Sequence, residues 1–189
     1  MDLIEQFTER FESLRGVVHT ASSDQDAARI VTSICAGASV GRVALSHVPD
    51  AFRNALVEGC HDSGISVVAP PYAHDTLPGA IDGAQVGVSM ARFAIAQTGT
   101  LVEVDIDDAC RIVSCLPRTH ICLVRRADVT GELYDAAPRL RAIFQENDRN
   151  CVVSFISGPS RTGDIELKLT LGVHGPEEAH VIVIDDMRD

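Results

Sequence analysis

Residues 41–69 read GRVALSHVPDAFRNALVEGCHDSGISVVA. Gly41 to Ser46 is a short apolar run that suits a core strand. Pro49 and Asp50 then open a helix whose inner face carries Phe52, Leu56, Val57 and Cys60. Proline is tolerated at the start of a helix because the N–H it lacks would have no partner there, and apolar residues three and four apart make one buried stripe. Gly64 closes the helix, and Ile65 to Ala69 is a second apolar run. A strand, a helix and a strand joined by connections of a few residues imply parallel strands with helices on the faces. The expected class is therefore α/β, a largely parallel sheet flanked by helices. A chain of 189 residues is one domain long by the usual ~100–200 residues per domain, so 1–189 is expected to be a single domain.

Working outward, the same grammar continues in both directions. In residues 2–14, Leu3, Ile4, Phe7, Phe11 and Leu14 form the stripe of an amphipathic helix. Gly16 to His19 reads as a short strand, and Ser22 or Ser23 caps a second helix that ends near Gly37. Residues 70–83, PPYAHDTLPGAIDG, form a Pro/Gly-rich loop carrying His74. Ala84 to Val88 is a strand, Met90 to Gln97 fits a short helix, and Leu101 to Val104 is a strand. Ile112 to Leu116 is an apolar run stopped by Pro117. Thr119 to Val124 is a buried strand, with Arg118 and His120 in structural positions at its start. A helix from Val129 or Thr130 to about Asn147 puts Leu133, Ala137, Leu140 and Phe144 on its core stripe, although Pro138 should interrupt it. His180 to Ile184 is the last strand.

Charge and composition exclude several classes. There are 16 basic against 27 acidic residues, a formal net charge of −11, so the electrostatic footprint of a nucleic-acid binder is missing. An anion would have to be caught by a local pocket working against the global field. No apolar run approaches the ~18–20 residues of a membrane span, and Asp2 and Glu5 stand where a signal peptide would carry base; the expected location is the cytoplasm. Six cysteines without a Cys-x-x-Cys pair, and seven histidines without metal-ligand spacing, favour reduced buried thiols and no metal site. Dinucleotide, P-loop, nucleophile-elbow, zinc-protease and EF-hand signatures are all absent, so no cofactor is expected in this chain.

The stretch most suggestive of a site is Cys151 to Pro176, CVVSFISGPSRTGDIELKLTLGVHGP. An apolar strand stops at Gly158-Pro159 and is followed by Ser160, Arg161, Thr162, Asp164 and Glu166. Ligands of open α/β sheets bind outside the carboxyl ends of strands, and hydroxyls beside a guanidinium fork suit carboxylate or phosphate oxygens. The alternative is a helix cap at Ser160 or Thr162, with Asp164 and Glu166 in the first turn and Arg161 paired to one of them. Residues 164–171 alternate like a strand yet start like a helix. Thr98, Gly99 and Thr100 offer a second wall of exposed N–H and hydroxyl groups. His174 is the candidate acid or base.

Three blocks carry a family resemblance: VGVSMARFAIAQTGTLVEV (86–104), LPRTHICLV (116–124) and SGPSRTGDIELKLTLGVHGPEEAHVIVI (157–184). Together they resemble the lactate-utilisation protein C family, the LUD domain found with bacterial lactate-oxidation operons and in L-lactate dehydrogenase complexes. The resemblance implies an α/β fold like that of the ribose-5-phosphate isomerase, CoA-transferase and 5-formyltetrahydrofolate cyclo-ligase group. It also implies a role in oxidising L-lactate to pyruvate with two partners, at least one carrying iron–sulfur clusters. Gln97 and Gln85 stand where the family usually shows acids. Three readings follow: a non-cluster subunit of a lactate-oxidising complex with an anion pocket at SGPSRT, a free-standing small-molecule enzyme of the isomerase or cyclo-ligase type acting on a phosphorylated or carboxylated metabolite, and an assembly or regulatory factor.

Overall fold

The computed structural model describes residues 2–38, 40–147, 151–162 and 170–185. Six strands form one parallel sheet: β1 (Val17–Ala21), β2 (Arg42–Leu45), β3 (Ser66–Val68), β4 (Val86–Met90), β7 (Thr119–Arg125) and β12 (Glu178–Ile184). Their order is β1-β12-β7-β4-β2-β3 and every pairing is parallel. A second sheet, β8-β5-β6-β9, is built from β5 (Phe93–Ile95), β6 (Thr100–Asp105), β8 (Val129–Thr130) and β9 (Val152–Ile156). A two-stranded ribbon pairs β10 (Arg161–Thr162) with β11 (Thr170–Leu171). The helices are α1 (Leu3–Ser13), α2 (Asp24–Gly37), α3 (Asp50–Asp62), the short α4 (Gly79–Asp82), α5 (Asp108–Cys115) and α6 (Ala136–Glu146).

Strand alternation sorts the sheet's side chains into two cores. Val43, Val86, Val88, Ile121, Leu123, Ile182 and Ile184 face α2 and α3, meeting Ala28, Val31, Phe52 and Leu56. On the opposite face Cys122, Val124, Val181 and Val183 meet Phe7 and Phe11 of α1 and Ala94 and Leu101 of the second sheet. The outer face of that sheet, Phe93, Ile95 and Val102, is covered by Ala136 and Ile143 of α6. The layers are thus helix, parallel sheet, mixed sheet, helix. Each fully buried Phe (Phe7, Phe11, Phe52, Phe93) contributes roughly 1.5–3 kcal/mol of burial. The expectation of an α/β fold with a largely parallel sheet flanked by helices is met. Among the described residues no helix is long and apolar enough to cross a membrane.

Local structure departs from the sequence reading in four places. Met90 to Gln97 contains strand β5, because Phe93 and Ile95 must reach one face while Ala94 enters the opposite core; alternation demanded by two cores overrides helical spacing. Ile112 to Cys115 belongs to α5, whose N-cap Asp107 accepts the Ala109 N–H at 2.8 Å. The long helix from Val129 is broken into β8, a 3₁₀ turn at Leu133–Asp135 and α6. Pro138 falls in the first turn of α6, where it displaces no helical hydrogen bond, and the covering stripe is Ala136, Leu140 and Ile143 while Leu133 and Phe144 are exposed. Finally, β9 is not a strand of the parallel sheet. It is an edge strand antiparallel to β6, with Phe155 half exposed.

At the outer edge of the parallel sheet His19 and His180 stack, with ring centroids 5.4 Å apart and Nε2 of His19 3.1 Å from Nδ1 of His180. Burial lowers the pKa of His19; burial and then the neighbouring imidazole lower that of His180. Both folded values lie below the ordinary 6.5, so the unfolded chain binds more protons between the two values and stability falls as pH drops through that window. The urea midpoint should therefore decline as pH falls from about the ordinary 6.5 through the lower folded values, and His19→Gln should flatten the decline. An identical decline in the variant would exclude the pair as its source.

Candidate functional site

Polar side chains gather where the two sheets face each other. His120 of β7 lies in register between Gly87 of β4 and Ala179 of β12, so a large imidazole is flanked by two small residues that leave it room. Ser89 stands one row further along β4, opposite Cys122. From the facing sheet, Glu103 of β6 projects on the same side as Leu101, with Ser154 of β9 opposite it. Ser89, Glu103 and His120 are each about 2% exposed.

Ser89 Oγ lies 2.7 Å from His120 Nε2 and also bonds Glu103 Oε1; His120 Nε2 is 3.3 Å from that oxygen. A carboxylate only accepts, so Ser89 donates to Glu103 and takes its second bond from the Nε2–H of His120. Burial raises the Glu103 pKa, but bonds from His120, the imidazole's charge and bonds from Ser89 and Cys122 outweigh it and hold the carboxyl below its ordinary value. Glu103 is thus an ionised carboxylate, buried and hydrogen-bonded. Glu103, His120 and Cys122 also bring metal-ligand atoms within 4.8 Å of one another, but the carboxylate is already engaged by hydroxyl, imidazole and thiol.

A cavity of about 420 Å³ opens onto this cluster. His120 and Ser154 lie on its walls together with Arg111 and Cys115 of α5, Ser157, Gly158, Ser160 and His174. Asp105, on the Glu103 face of β6, has its pKa pushed up to about 6 by burial and then by the Glu103 charge, and its buried Oδ2 has no hydrogen-bond partner among the described residues. Burial and the Glu103 charge also raise the Cys115 thiol, which makes it a poor nucleophile. The site offers an imidazole, hydroxyls and a guanidinium that also pairs with Asp108 on its own helix, gathered around one space above a buried acid–base set.

The residues singled out from sequence divide into two groups. Gly158, Ser160 and His174 line the cavity. Arg161 does not; its guanidinium bonds the Leu14 carbonyl at the end of α1. That end is a Schellman turn, Gly16 N–H to Phe11 O at 3.0 Å and Arg15 N–H to Glu12 O at 2.9 Å, with Arg15 at φ 70°. Gly158 is at φ 132°, and a Cβ there would sit 2.9 Å from the same Leu14 carbonyl oxygen. Thr162 pairs with Thr170 in the ribbon. Thr98, Gly99 and Thr100 lie beneath α1: a Cβ on Gly99 would sit 2.7 Å from the Phe11 nitrogen. Their hydroxyls run Thr98 to Thr100 at 2.7 Å and Thr100 to Ser157 at 2.8 Å, tying the turn to the cavity wall from behind. Asp164 and Glu166, and all but the last two residues of 164–171, lie outside the described residues. His74 opens a 3₁₀ turn.

The two glutamines at the family's acid positions accept backbone bonds. Gln85 Oε1 takes the N–H groups of Gly41 and Arg42 at 3.0 and 2.9 Å, and Gln97 Oε1 takes that of Leu133 at 3.0 Å. Sequence reading missed Ser89, Glu103, Arg111, Cys115 and Ser154, and gave His120 only a structural place. The available signal was a polar residue at an inward position of an apolar strand: Ser in VGVSM, Glu in TLVEV, His in THICL. A buried polar side chain is the informative exception to apolar cores.

Three comparisons bear on what this chain is similar to. The model of the LUD domain matches residues 4–184. The chain belongs to the LUD domain family. Among curated proteins, this LUD domain is 39% identical over 105 residues to lactate utilization protein C of Macrococcus caseolyticus, covering 54% of this chain and 45% of that protein. It is 34% identical over 108 residues to lactate utilization protein C of Bacillus subtilis, covering 54% and 43%. The match thus spans less than half the length of these relatives. A crystal structure of a DUF162 family protein from Deinococcus radiodurans superposes with a TM-score of 0.67 at 21% identity, covering 96% of both chains; the two share a fold.

Proposed function

We propose that this LUD domain serves in lactate utilisation as a non-cluster subunit of a bacterial complex that oxidises L-lactate to pyruvate, with iron–sulfur partners carrying the electrons. The observation that carries this reading is the match to proteins named lactate utilization protein C. The site chemistry agrees with it. A 2-hydroxy acid brings a carboxylate suited to the Arg111 fork and a hydroxyl suited to the polar wall at His120 and Ser154. In this reading the anion pocket lies in the space between the sheets, and the guanidinium that would meet the carboxylate is Arg111, in exchange for its i,i+3 pair with Asp108.

The test is anaerobic affinity purification of the tagged chain from its native host, with mass spectrometry, visible absorption and lactate-dependent dye reduction. Brown, lactate-active material with co-purifying subunits is expected. Arg111→Ala should lose ~10-fold or more of the lactate-dependent rate, as expected when a charged ligand contact worth more than about 1.4 kcal/mol is removed. Arg161→Ala should keep the rate, because that guanidinium holds Leu14. A colourless, solitary chain would sink the subunit reading. A complex that keeps full activity after the chain has left it would instead indicate an assembly factor.

The buried Ser89–Glu103–His120 set favours a second reading, a free-standing enzyme of the isomerase or cyclo-ligase type, since it supplies acid–base groups without a partner. Turnover of a phosphorylated or carboxylated metabolite by the purified chain alone, abolished in Glu103→Gln, would support it.

A further inference from the structure

We propose that His47, Asp107 and Cys110 form a zinc-type divalent metal site, separate from the cavity between the sheets. His47 follows β2, Asp107 is the N-cap of α5 and Cys110 lies in the first turn of that helix. One potential ligand atom from each lies within 4.8 Å of the other two. The chain crosses from β2 to the end of β6 to bring them together, so their sequence separation of sixty residues hid the site from any spacing rule.

The donor set is imidazole nitrogen, carboxylate oxygen and thiolate sulfur, which four-coordinate zinc accepts. Three protein ligands leave one position open, as zinc sites that bind a further ligand do. Here it would face a cavity of about 240 Å³ lined by His47, Asp107, Ser46, Arg53 and the Pro70-Pro71 corner. That cavity lies where β2 and β3 end, the place where open α/β sheets take their ligands. The ligands are also held in place. Asp107 Oδ1 accepts the Ala109 N–H at 2.8 Å, which orients the carboxylate as an outer-shell bond does in metal sites. Without a metal, burial and then the Asp107 and Asp105 charges push the Cys110 thiol up to about 12, so the metal's own charge must displace that proton. Asp105 adds negative charge close enough to act on Cys110, and its buried Oδ2 has no hydrogen-bond partner among the described residues. The cation facing the cavity, Arg53, is paired with Asp50 at 2.7 Å. Binding balances simply: the metal takes the His47 lone pair, the Asp107 carboxylate and the Cys110 sulfur, whose proton leaves to solvent.

The test uses the full chain, reduced and freed of metal with a chelator, titrated with Co²⁺ as the probe and then with Zn²⁺. One Co²⁺ per chain is expected, with a thiolate-to-metal charge-transfer band that Zn²⁺ abolishes. His47→Ala, an exposed position that leaves the core intact, should weaken binding by at least the ~10–100-fold that loss of an outer-shell partner costs. Cys110→Ser should remove the band while far-UV circular dichroism stays native. Cys122→Ser should leave both band and stoichiometry unchanged. No stoichiometric uptake by the wild-type chain, or a band lost in Cys122→Ser but kept in His47→Ala and Cys110→Ser, would overturn the proposal.

Discussion

Gly87→Ala should lower stability by about 3 kcal/mol, the upper part of the range for overpacking a core, seen as a fall in Tm of roughly 6–12 °C for a chain of this size. Gly87 lies on β4 beneath α5, and a Cβ there would sit 2.0 Å from the carbonyl oxygen of Val113 and 3.0 Å from Cγ of Pro117. The first contact is backbone in a helix whose Val113 side chain is fully buried. No rotamer change relieves it, and α5 must move off the sheet. That displacement would carry Arg111 and Cys115 with it, so loss of ligand binding at the cavity should accompany the loss of stability. A thermal melt within a degree or two of wild type would show that α5 does not pack as described.

Glu103→Ala should cost ~2–4 kcal/mol, from a buried donor left without its acceptor at about 1–3 kcal/mol together with the cavity left behind. It leaves the Ser89 hydroxyl without the carboxylate it donates to, and takes from the His120 Nε2–H its second partner at 3.3 Å, in a site about 2% exposed, and it opens space in the sheet–sheet interface. Glu103→Gln keeps an acceptor oxygen and should cost less, about 1–2 kcal/mol. The pH dependence separates charge from packing. The folded pKa of Glu103 is below its ordinary 4.5, so its contribution is complete above that value and is lost as pH falls through the folded value. Urea unfolding across about pH 7 to about pH 3 should show wild type converging on Glu103→Gln at the acid end. A constant gap would place the effect in packing alone.

Much of the architecture was legible in one dimension. The strand–helix–strand reading of residues 41–69 holds as β2, α3 and β3, and β4, β6, β7 and β12 fall on apolar runs read directly. Each of those strands is defined by a feature of its own side chains. The departures share a different cause. Strand β5 and the broken segment from Val129 to Glu146 owe their form to the second sheet, which sets a face for Phe93, Ala94 and Ile95 that helical spacing alone cannot reveal. Whether β9 pairs in the parallel sheet or at the edge of another depends on its partner, β6, some fifty residues earlier.

The same division runs through the candidate site. Chemistry-bearing types were visible in SGPSRT, and Gly158, Ser160 and His174 do line the cavity. The sequence could not say where a long side chain points, and Arg161 spends its guanidinium on the Leu14 carbonyl of a helix that lies 147 residues away along the chain. Ser89, Glu103 and His120 are single polar residues in apolar strands, each unremarked alone. They become a site only because strand register puts Gly87 and Ala179 beside His120 and because two sheets bring Glu103 across from Ser89. Sequence by itself determined the α/β class, the parallel pairing and most element positions, since these follow from local periodicity and short connections. The cavity, the buried charge and the metal-ligand cluster were decided by tertiary structure alone, because contacts between residues distant along the chain leave no periodic trace in it.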